Sequence, residues 1–254
     1  MQKKITGLRL FFVTLLGSFA ATIPYVLADA PFFTDDPVFS PGWEIKAGIT
    51  TERNCGGSVL TEVLDWNYAV VSNVRLNLTT YTKHIWPSGR HHKFGYGDTE
   101  FKIKWRFLDE SSKGAHPAFG IAPKVFIPTA ESSRGLSDGV WRFQFPLQFG
   151  KMIGHWYYFG EAGYQWAFDR VASDSVFGGM GTVYLLTEKL TLGTELFGSV
   201  PTDNRSNWQL LTTLGAIYTF SSHWQLKASI SHTLRDTARG GPKPASVFYG
   251  VWNF

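Results

Sequence analysis

Hydrophobic and polar residues alternate with a period of two along much of the chain after residue 40. The clearest stretch alternates four charged residues with four large apolar ones: Glu100, Lys102, Lys104 and Arg106 against Phe101, Ile103, Trp105 and Phe107. Because successive side chains of a β-strand point to opposite faces, this pattern predicts a strand with one charged face and one aromatic face.

Twelve stretches of this kind follow one another, separated by clusters of Gly, Asn, Asp, Ser and Pro. Several exceed the roughly 5 to 6 residues of a globular strand and match the roughly 9 to 11 residues that cross a bilayer at a tilt. An even number of strands brings both ends of the chain to the same side. The predicted strands are residues 43–53, 58–71, 73–84, 97–108, 117–128, 140–151, 154–168, 174–187, 189–201, 206–220, 223–235 and 244–254.

Short turns alternate with longer polar links between these strands, as in bacterial outer-membrane barrels. We therefore expect the short turns in the periplasm and the longer links outside the cell. The link at residues 109–116 departs from the scheme, because it is long for a periplasmic turn.

An unpaired backbone N–H or C=O group costs several kcal/mol in hydrocarbon, so strands cross lipid only as a closed ring. The fold prediction is therefore all-β: a transmembrane antiparallel up-and-down β-barrel of about 12 strands in the outer membrane. Such a ring lies between eight-stranded barrels filled by side chains and 16-stranded porins, and it predicts a narrow lumen.

The N-terminus has the pattern of a secretory signal peptide, with basic Lys3, Lys4 and Arg9 and an apolar stretch over residues 8–21. Small residues favour cleavage after Ala28. We predict a signal peptide at residues 1–28, a periplasmic segment at 29–41 that partly plugs the mouth of the barrel, and the barrel itself at 42–254.

Cleavage also changes the charge of the protein. The chain has 24 Lys and Arg against 20 Asp and Glu, and losing the three basic residues of the signal leaves 21 against 20. A nearly neutral mature protein gives no support to nucleic-acid binding. The single Cys55 cannot form an internal disulfide and is interpreted as incidental.

The chain ends in an alternating aromatic strand at residues 246–254, with Phe248 and Trp252 on one face and Phe254 last. This ending is typical of the signal that the barrel-assembly machinery recognises in outer-membrane proteins. We expect that machinery and outer-membrane lipid as partners of a monomeric barrel.

Two segments carry a resemblance to a known family: PFFTDDP at residues 31–37 with GWEI at 42–45, and GYGDTE at 95–100 leading to KWRFL at 104–108. They resemble the phenol-degradation meta-pathway (MetA-type) outer-membrane transporter family. The resemblance implies an outer-membrane protein that admits small hydrophobic or aromatic compounds. It also implies that Asp35 and Asp36 lie at the periplasmic mouth and Asp98 near the outer rim.

The alternation predicts which side chains line the lumen, since a Lys or Arg on the lipid face near the midplane would cost about 2 to 4 kcal/mol. Two interpretations stay open: the basic residues attract anionic solutes, or they are neutralised by Glu44, Glu62, Glu161 and Glu195. The near-zero net charge favours neutralisation. The predicted lining residues are Glu44, Lys46, Arg75, Tyr81, Glu100, Lys102, Lys104, Arg106, Lys124, Arg142, Gln144, Glu161, Tyr184, Glu195 and Lys227.

Other chemistry finds little support in the sequence. His84, His91 and His92 are imidazoles without an accompanying Cys or carboxylate cluster, so a solvated loop is favoured over a metal site. Ser231 and His232 are neighbours in a strand and point to opposite faces, so they cannot form a catalytic dyad. No enzymatic activity and no cofactor is predicted.

Two prolines, Pro123 and Pro146, fall inside predicted adjacent strands, although proline removes a hydrogen bond from a sheet. A bulge is the favoured interpretation, and a kink with a lateral opening toward lipid is the alternative.

The sequence predicts passive uptake of a small solute, which the resemblance makes hydrophobic or aromatic. Two alternatives stay open: a channel for polar or anionic solutes of the oligosaccharide or nucleoside type, and a non-conducting structural barrel.

Overall fold

A computed structural model describes residues 31–54, 56–89, 91–111, 115–169, 172–203, 207–236 and 245–254. The predicted signal peptide and Cys55 lie outside the described residues. Within them, no helix is long and apolar enough to cross a membrane.

The described part of the chain forms one antiparallel sheet of 14 strands in which the first and last strands pair, so the sheet is closed. Two pairs of short strands each fill one position in the ring, which gives 12 positions and confirms the predicted barrel. The strands are β1 (Trp43–Asn54), β2 (Gly57–Val71), β3 (Val74–Pro87), β4 (Lys93–Tyr96), β5 (Thr99–Leu108), β6 (Ala118–Ile121), β7 (Lys124–Ile127), β8 (Arg142–Ile153), β9 (Trp156–Ala167), β10 (Ser175–Leu185), β11 (Leu190–Pro201), β12 (Gln209–Thr219), β13 (Trp224–Asp236) and β14 (Ala245–Asn253).

The two interrupted positions lie next to each other in the ring. β4 and β5 are separated at Gly97 and Asp98, and both pair with β3. β6 and β7 are separated at Ala122 and Pro123, and both pair with β8. Pro123 has no N–H to donate and interrupts its strand. The register is the same on both sides of it, with Ile121 opposite Trp105 and Lys124 opposite Lys102, so the predicted bulge was wrong. Pro146 stays within β8 opposite Gly163 in an unbroken register, so the bulge predicted there was also wrong.

The links divide the barrel into two ends. At the turn end, four tight connections join β2–β3, β8–β9, β10–β11 and β12–β13, and the link at residues 109–117 joins β5 to β6. At the loop end lie the longer links, including residues 128–141 with a short 3₁₀ helix, Ser132–Arg134. The two-residue link between β1 and β2 also lies at this end, which departs from the predicted division of short and long links. β1 begins and β14 ends at the turn end, where the Phe254 N–H donates to the Trp43 carbonyl at 2.9 Å.

The outer surface is apolar and carries aromatic pairs at the turn end. Trp224 stacks on Trp252 with ring centroids 4.8 Å apart, and Trp252 stacks on Phe254 at 4.5 Å. Trp43 lies 4.5 Å from Tyr68 around the same rim. Rings of this kind lie at the membrane interface of outer-membrane barrels.

The inner surface is polar, yet much of it is shielded from solvent because the segment at residues 31–41 runs back from Trp43 into the lumen. At its far end, Ser229 donates a hydrogen bond to the Pro31 carbonyl at 2.8 Å. Ser229 lies five residues into β13 from the turn end, so the segment reaches deep into the barrel. The residues 31–41 are called the N-terminal segment below.

Candidate functional site in the barrel lumen

The alternation of the strands points every second side chain toward the lumen, and many of these side chains are charged or polar. Lys104 and Lys227 are fully buried there, and so is Glu44. The structure places all of the predicted lining residues except Tyr184 on this inner face. That any of them contacts a solute stays a prediction.

The prediction for Tyr184 was wrong. Its ring lies 4.7 Å from the ring of Trp156, which is exposed on the outer wall, and the two residues pair across β9 and β10. The inward position is taken by its neighbour Val183, which packs against Tyr157 and Phe159. At this point the inner face is itself apolar, so polarity does not reveal which residue points inward.

The prediction that Glu62 neutralises basic residues inside the lumen was also wrong. Glu62 shares the outer face of β2 with Leu64 and Trp66, and its side chain is 54% exposed. The alternation of β2 sets Val63 and Asp65 on the inner face instead. Charge alone therefore misled the prediction, whereas the period-two pattern places Glu62 outside.

A first ion-pair network covers the inner wall of β1 to β3. The Arg75 guanidinium donates to the Glu44 carboxylate. Lys46 Nζ lies 3.4 Å from Glu44 Oε1 and 3.7 Å from Asp65 Oδ2. The Asn77 amide donates to Asp65 as well, so the acidic and basic groups on this wall offset one another.

A second network joins the wall to the N-terminal segment. Lys104 Nζ lies 2.6 Å from Asp35 Oδ1, and Lys102 Nζ lies 3.1 Å from Asp35 Oδ2. Asp35 therefore lies inside the barrel, deeper than the mouth position that the family resemblance implies. Asp36 accepts a 2.6 Å hydrogen bond from the hydroxyl of Tyr157, near the turn end of β9.

Backbone and apolar contacts also hold the N-terminal segment. The carboxylate of Glu195 accepts hydrogen bonds from the backbone N–H groups of Phe33 and Thr34, each at 2.8 Å. The Phe32 ring lies 5.5 Å from the Phe159 ring. A Cβ on Gly215 would come within 2.9 Å of Phe32, so only glycine leaves room for the ring there.

Cationic side chains also hold the segment where it leaves the lumen. The guanidinium of Arg106 lies 5.2 Å from the centroid of the Phe39 ring, and that of Arg75 lies 5.8 Å away. Cations within about 6 Å of a ring centroid are attracted by its face. Arg106 also contacts Asp109 at 2.5 Å.

Toward the loop end the lining is again paired. Lys124 Nζ lies 3.8 Å from Glu100 Oε1, and the Tyr81 hydroxyl donates to Glu100 Oε2 at 3.4 Å. The amide of Gln144 donates to Gln165 at 2.6 Å. Deeper in the lumen, the Gln148 amide donates to Glu161 at 3.3 Å.

Arg142 contacts the long loop at residues 128–141 from the rim. Its guanidinium donates to both oxygens of Asp138, with Nη1 3.0 Å from Oδ1. This hydrogen bond holds the pKa of the Asp138 carboxyl below its ordinary value. In the same loop region, Asp98 accepts a 2.8 Å hydrogen bond from Ser137.

Of the three histidines considered for a metal site, His84 and His92 stack with aromatic rings. The His92 ring lies 4.9 Å from Trp86 and 5.5 Å from His84, in each case nearly parallel. Across the described residues, no group of three or more His, Cys, Asp or Glu is arranged to hold a metal ion.

The Asp35 contacts are what sequence reasoning missed. The predicted plug named a segment but no partner, and the two lysines lie 67 and 69 positions away in the chain. The only available signal was the sequence PFFTDDP itself, in which apolar and acidic residues precede the first strand.

Comparisons with known proteins identify the family of the chain and proteins that share its fold. Residues 28–250 match the model of the family described as "Putative MetA-pathway of phenol degradation". No curated protein matches the chain significantly.

Among solved structures, the COG4313 outer membrane channel from Pseudomonas putida F1 is similar over 90% of this chain and 100% of that one, with a TM-score of 0.65 at 15% identity. The NanC porin is similar over 84% of this chain and 100% of that one, with a TM-score of 0.58 at 8% identity. The KdgM porin in complex with disordered oligogalacturonate covers 83% and 99%, with a TM-score of 0.53 at 10% identity. Likeness at these identities shows a shared fold.

Proposed function

From the premise that this chain belongs to the phenol-degradation MetA-pathway family and is an outer-membrane β-barrel, we propose that it admits small hydrophobic or aromatic compounds across the outer membrane. The route is passive, and it requires rearrangement of the N-terminal segment that occupies the lumen.

One observation carries the choice of solute: basic groups of the lumen already have carboxylate partners. Lys102 and Lys104 contact Asp35, and Lys124 contacts Glu100. A channel for anionic oligosaccharides would present such cations to its solute. Here the residues that enter the lumen also bring phenyl rings, those of Phe32 and Phe33, which offer apolar contact instead.

The experiment compares uptake by intact Gram-negative cells with and without the protein. Intact cells are needed because small apolar compounds cross phospholipid liposomes unaided, whereas the lipopolysaccharide leaflet slows them. We expect faster uptake of radiolabelled toluene and no change in the uptake of a trisaccharide.

The opposite pattern would overturn the proposal in favour of a polar channel, and unchanged uptake of both compounds would favour a structural barrel. Gly250→Val is the control variant, and it should be expressed and take up solute like the wild type. This outward glycine has room for a side chain, because the nearest atom is 3.9 Å from an added Cβ.

A further inference from the structure

A recess of about 740 Å³ lies over β1 to β5 and the chain just after β7, and both apolar and polar groups of the outer face line it. This volume falls within the roughly 300 to 1,000 Å³ of small-molecule sites. The residues that line it include Glu62, Leu64, Thr80, Thr82, Thr99 and Thr129.

Glu62 lies within the apolar band of the barrel. It is six residues along β2 from Tyr68 of the turn-end aromatic rim, which is about 15 to 20 Å at the rise of a strand. The band is about 25 Å tall. Its nearest neighbours on the outer face include Leu64 on the same strand and Ile49, which pairs with it across β1. A carboxylate is costly in this position, so a polar partner is needed to offset the cost.

Three hydroxyls of the recess, those of Thr80, Thr99 and Thr129, act as hydrogen-bond acceptors toward its interior. Thr129 donates its single proton to the Gly97 carbonyl at 3.1 Å, so in the 3.0 Å contact between Thr99 and Thr129 the donor is Thr99. Thr80 donates to the Leu64 carbonyl at 3.4 Å. A hydroxyl that has used its proton keeps only lone pairs.

The carboxylate of Glu62 is likewise only an acceptor of hydrogen bonds, because it is ionised. One neighbour can compensate it in part: His84 Nε2 lies 3.6 Å from Glu62 Oε1, longer than a hydrogen bond. The ring of His84 also stacks with Trp86 and His92. The carboxylate of Glu62 and the hydroxyls of Thr80, Thr99 and Thr129 therefore present only acceptors to the recess.

We propose that this recess binds the head of an amphiphile that donates hydrogen bonds, a primary ammonium or a hydroxyl on an apolar chain. The carboxylate of Glu62 and the lone pairs of Thr99 and Thr80 accept from the head, while Leu64 and the surrounding lipid face contact the chain. The proposal rests on the outer-membrane location and goes beyond the proposed function, because the recess is a separate site on the outer wall. It does not require passage through the lumen.

The test uses three 12-carbon probes, each with a diazirine beside the head: an amine, an alcohol and a carboxylic acid. Purified full-length protein in a non-ionic detergent is irradiated with each probe, and the attachment sites are mapped by peptide mass spectrometry. We expect the amine and the alcohol to label residues around the recess, and the carboxylate probe to label them at least tenfold less.

Glu62→Gln should reduce labelling by the amine about tenfold and labelling by the alcohol less, because the amide keeps an acceptor oxygen but loses the charge. Glu188→Gln, at an exposed turn carboxylate, is the matched control and should change neither. Thr99→Val is a second variant, which should weaken both probes because it removes an acceptor from the recess.

Equal labelling by all three probes, or amine labelling that Glu62→Gln leaves unchanged, would overturn the proposal. Heat-modifiable mobility in gels confirms that each variant is folded. The uptake assay on the wild type separates the proposed function from the proposed binding site. Selective labelling without toluene uptake would refute the proposed function alone. Toluene uptake with non-selective labelling would refute the binding site in the recess alone.

Discussion

At the scale of single residues, the lumen is organised by carboxylates that each serve several partners. Asp35 contacts two lysines, Lys102 and Lys104, and Glu195 accepts from two backbone N–H groups. Such charge-assisted hydrogen bonds are worth about 1.5 to 3 kcal/mol each when formed away from bulk water. A single substitution is therefore enough to shift the position of the N-terminal segment.

Asp35→Asn should loosen the N-terminal segment, because the amide cannot compensate two ammonium groups. A loss of about 1.5 to 3 kcal/mol corresponds to a roughly 10- to 100-fold rise in the ratio of displaced to seated segment. Single-channel recording in planar bilayers should show a larger mean conductance. Glu188→Gln is the control, and an unchanged conductance for Asp35→Asn would show that this contact does not hold the segment.

The contact between Asp138 and Arg142 should make the long loop sensitive to acid. The folded pKa of Asp138 lies below its ordinary value of 3.8. The contact therefore stabilises the loop fully above the ordinary value, and this contribution is lost as the pH falls through the lower folded pKa. Hydrogen exchange of residues 136–141, measured between about pH 2.5 and 5, should show faster opening at the acid end.

The variant Asp138→Asn separates this effect from the intrinsic pH dependence of exchange. It should exchange rapidly across the whole range, so that the wild type and the variant converge at low pH. Parallel profiles for the two proteins would contradict the assignment.

At the scale of elements, the strands carry glycine at the positions where the N-terminal segment packs against them. A Cβ on Gly179 would lie 2.1 Å from Thr34 Oγ1, and one on Gly193 would lie 2.7 Å from the Phe32 ring. The strands therefore use glycine where the segment passes close to their backbone. The binding surface for the N-terminal segment is therefore formed by the barrel strands themselves.

Gly215→Val should displace the N-terminal segment while the barrel stays intact. The three atoms nearest to an added Cβ, in Phe32 and Pro31, all belong to the segment, and valine is favoured in strands. We expect a larger conductance in planar bilayers together with normal heat-modifiable mobility. Gly250→Val is the matched control on the outer face, and equal conductance of the two variants would argue against this binding surface.

At the scale of the whole molecule, the barrel depends on the pairing of its first and last strands. β1 and β14 pair from Glu44 with Asn253 to Glu52 with Ala245. Every transmembrane strand then has two neighbours, as a barrel in lipid requires. The C-terminal residue Phe254 lies at this seam and adds its ring to the aromatic rim.

Phe254→Ala should lower the yield of assembled barrel in cells, because it removes the last aromatic residue that we predict the assembly machinery recognises. Phe220→Ala is a matched control, since both rings are similarly exposed, 57% for Phe220 and 58% for Phe254. The measurement is the heat-modifiable fraction in outer-membrane preparations. An equal loss in both variants would assign the effect to the aromatic rim and not to the C-terminal signal.

Local alternation made much of this architecture predictable. β5, β8 and β13 begin and end within two residues of the predicted bounds, because each has a polar and an apolar face that the sequence displays directly. Tyr184 and Glu62 show the limit of this reasoning. Tyr184 lies in a strand whose inner face is apolar where it packs around Phe159, and Glu62 is a charge on the outer face.

By itself, the sequence determined the class of fold, the number of positions in the ring and the face of most side chains, because these follow from a period of two that is read within one strand. Only the tertiary structure decided that Asp35 contacts Lys102 and Lys104, and that the hydroxyls of Thr99 and Thr80 share a recess with Glu62. These contacts join residues far apart in the chain, and they depend on the register of a closed ring, which no local pattern contains.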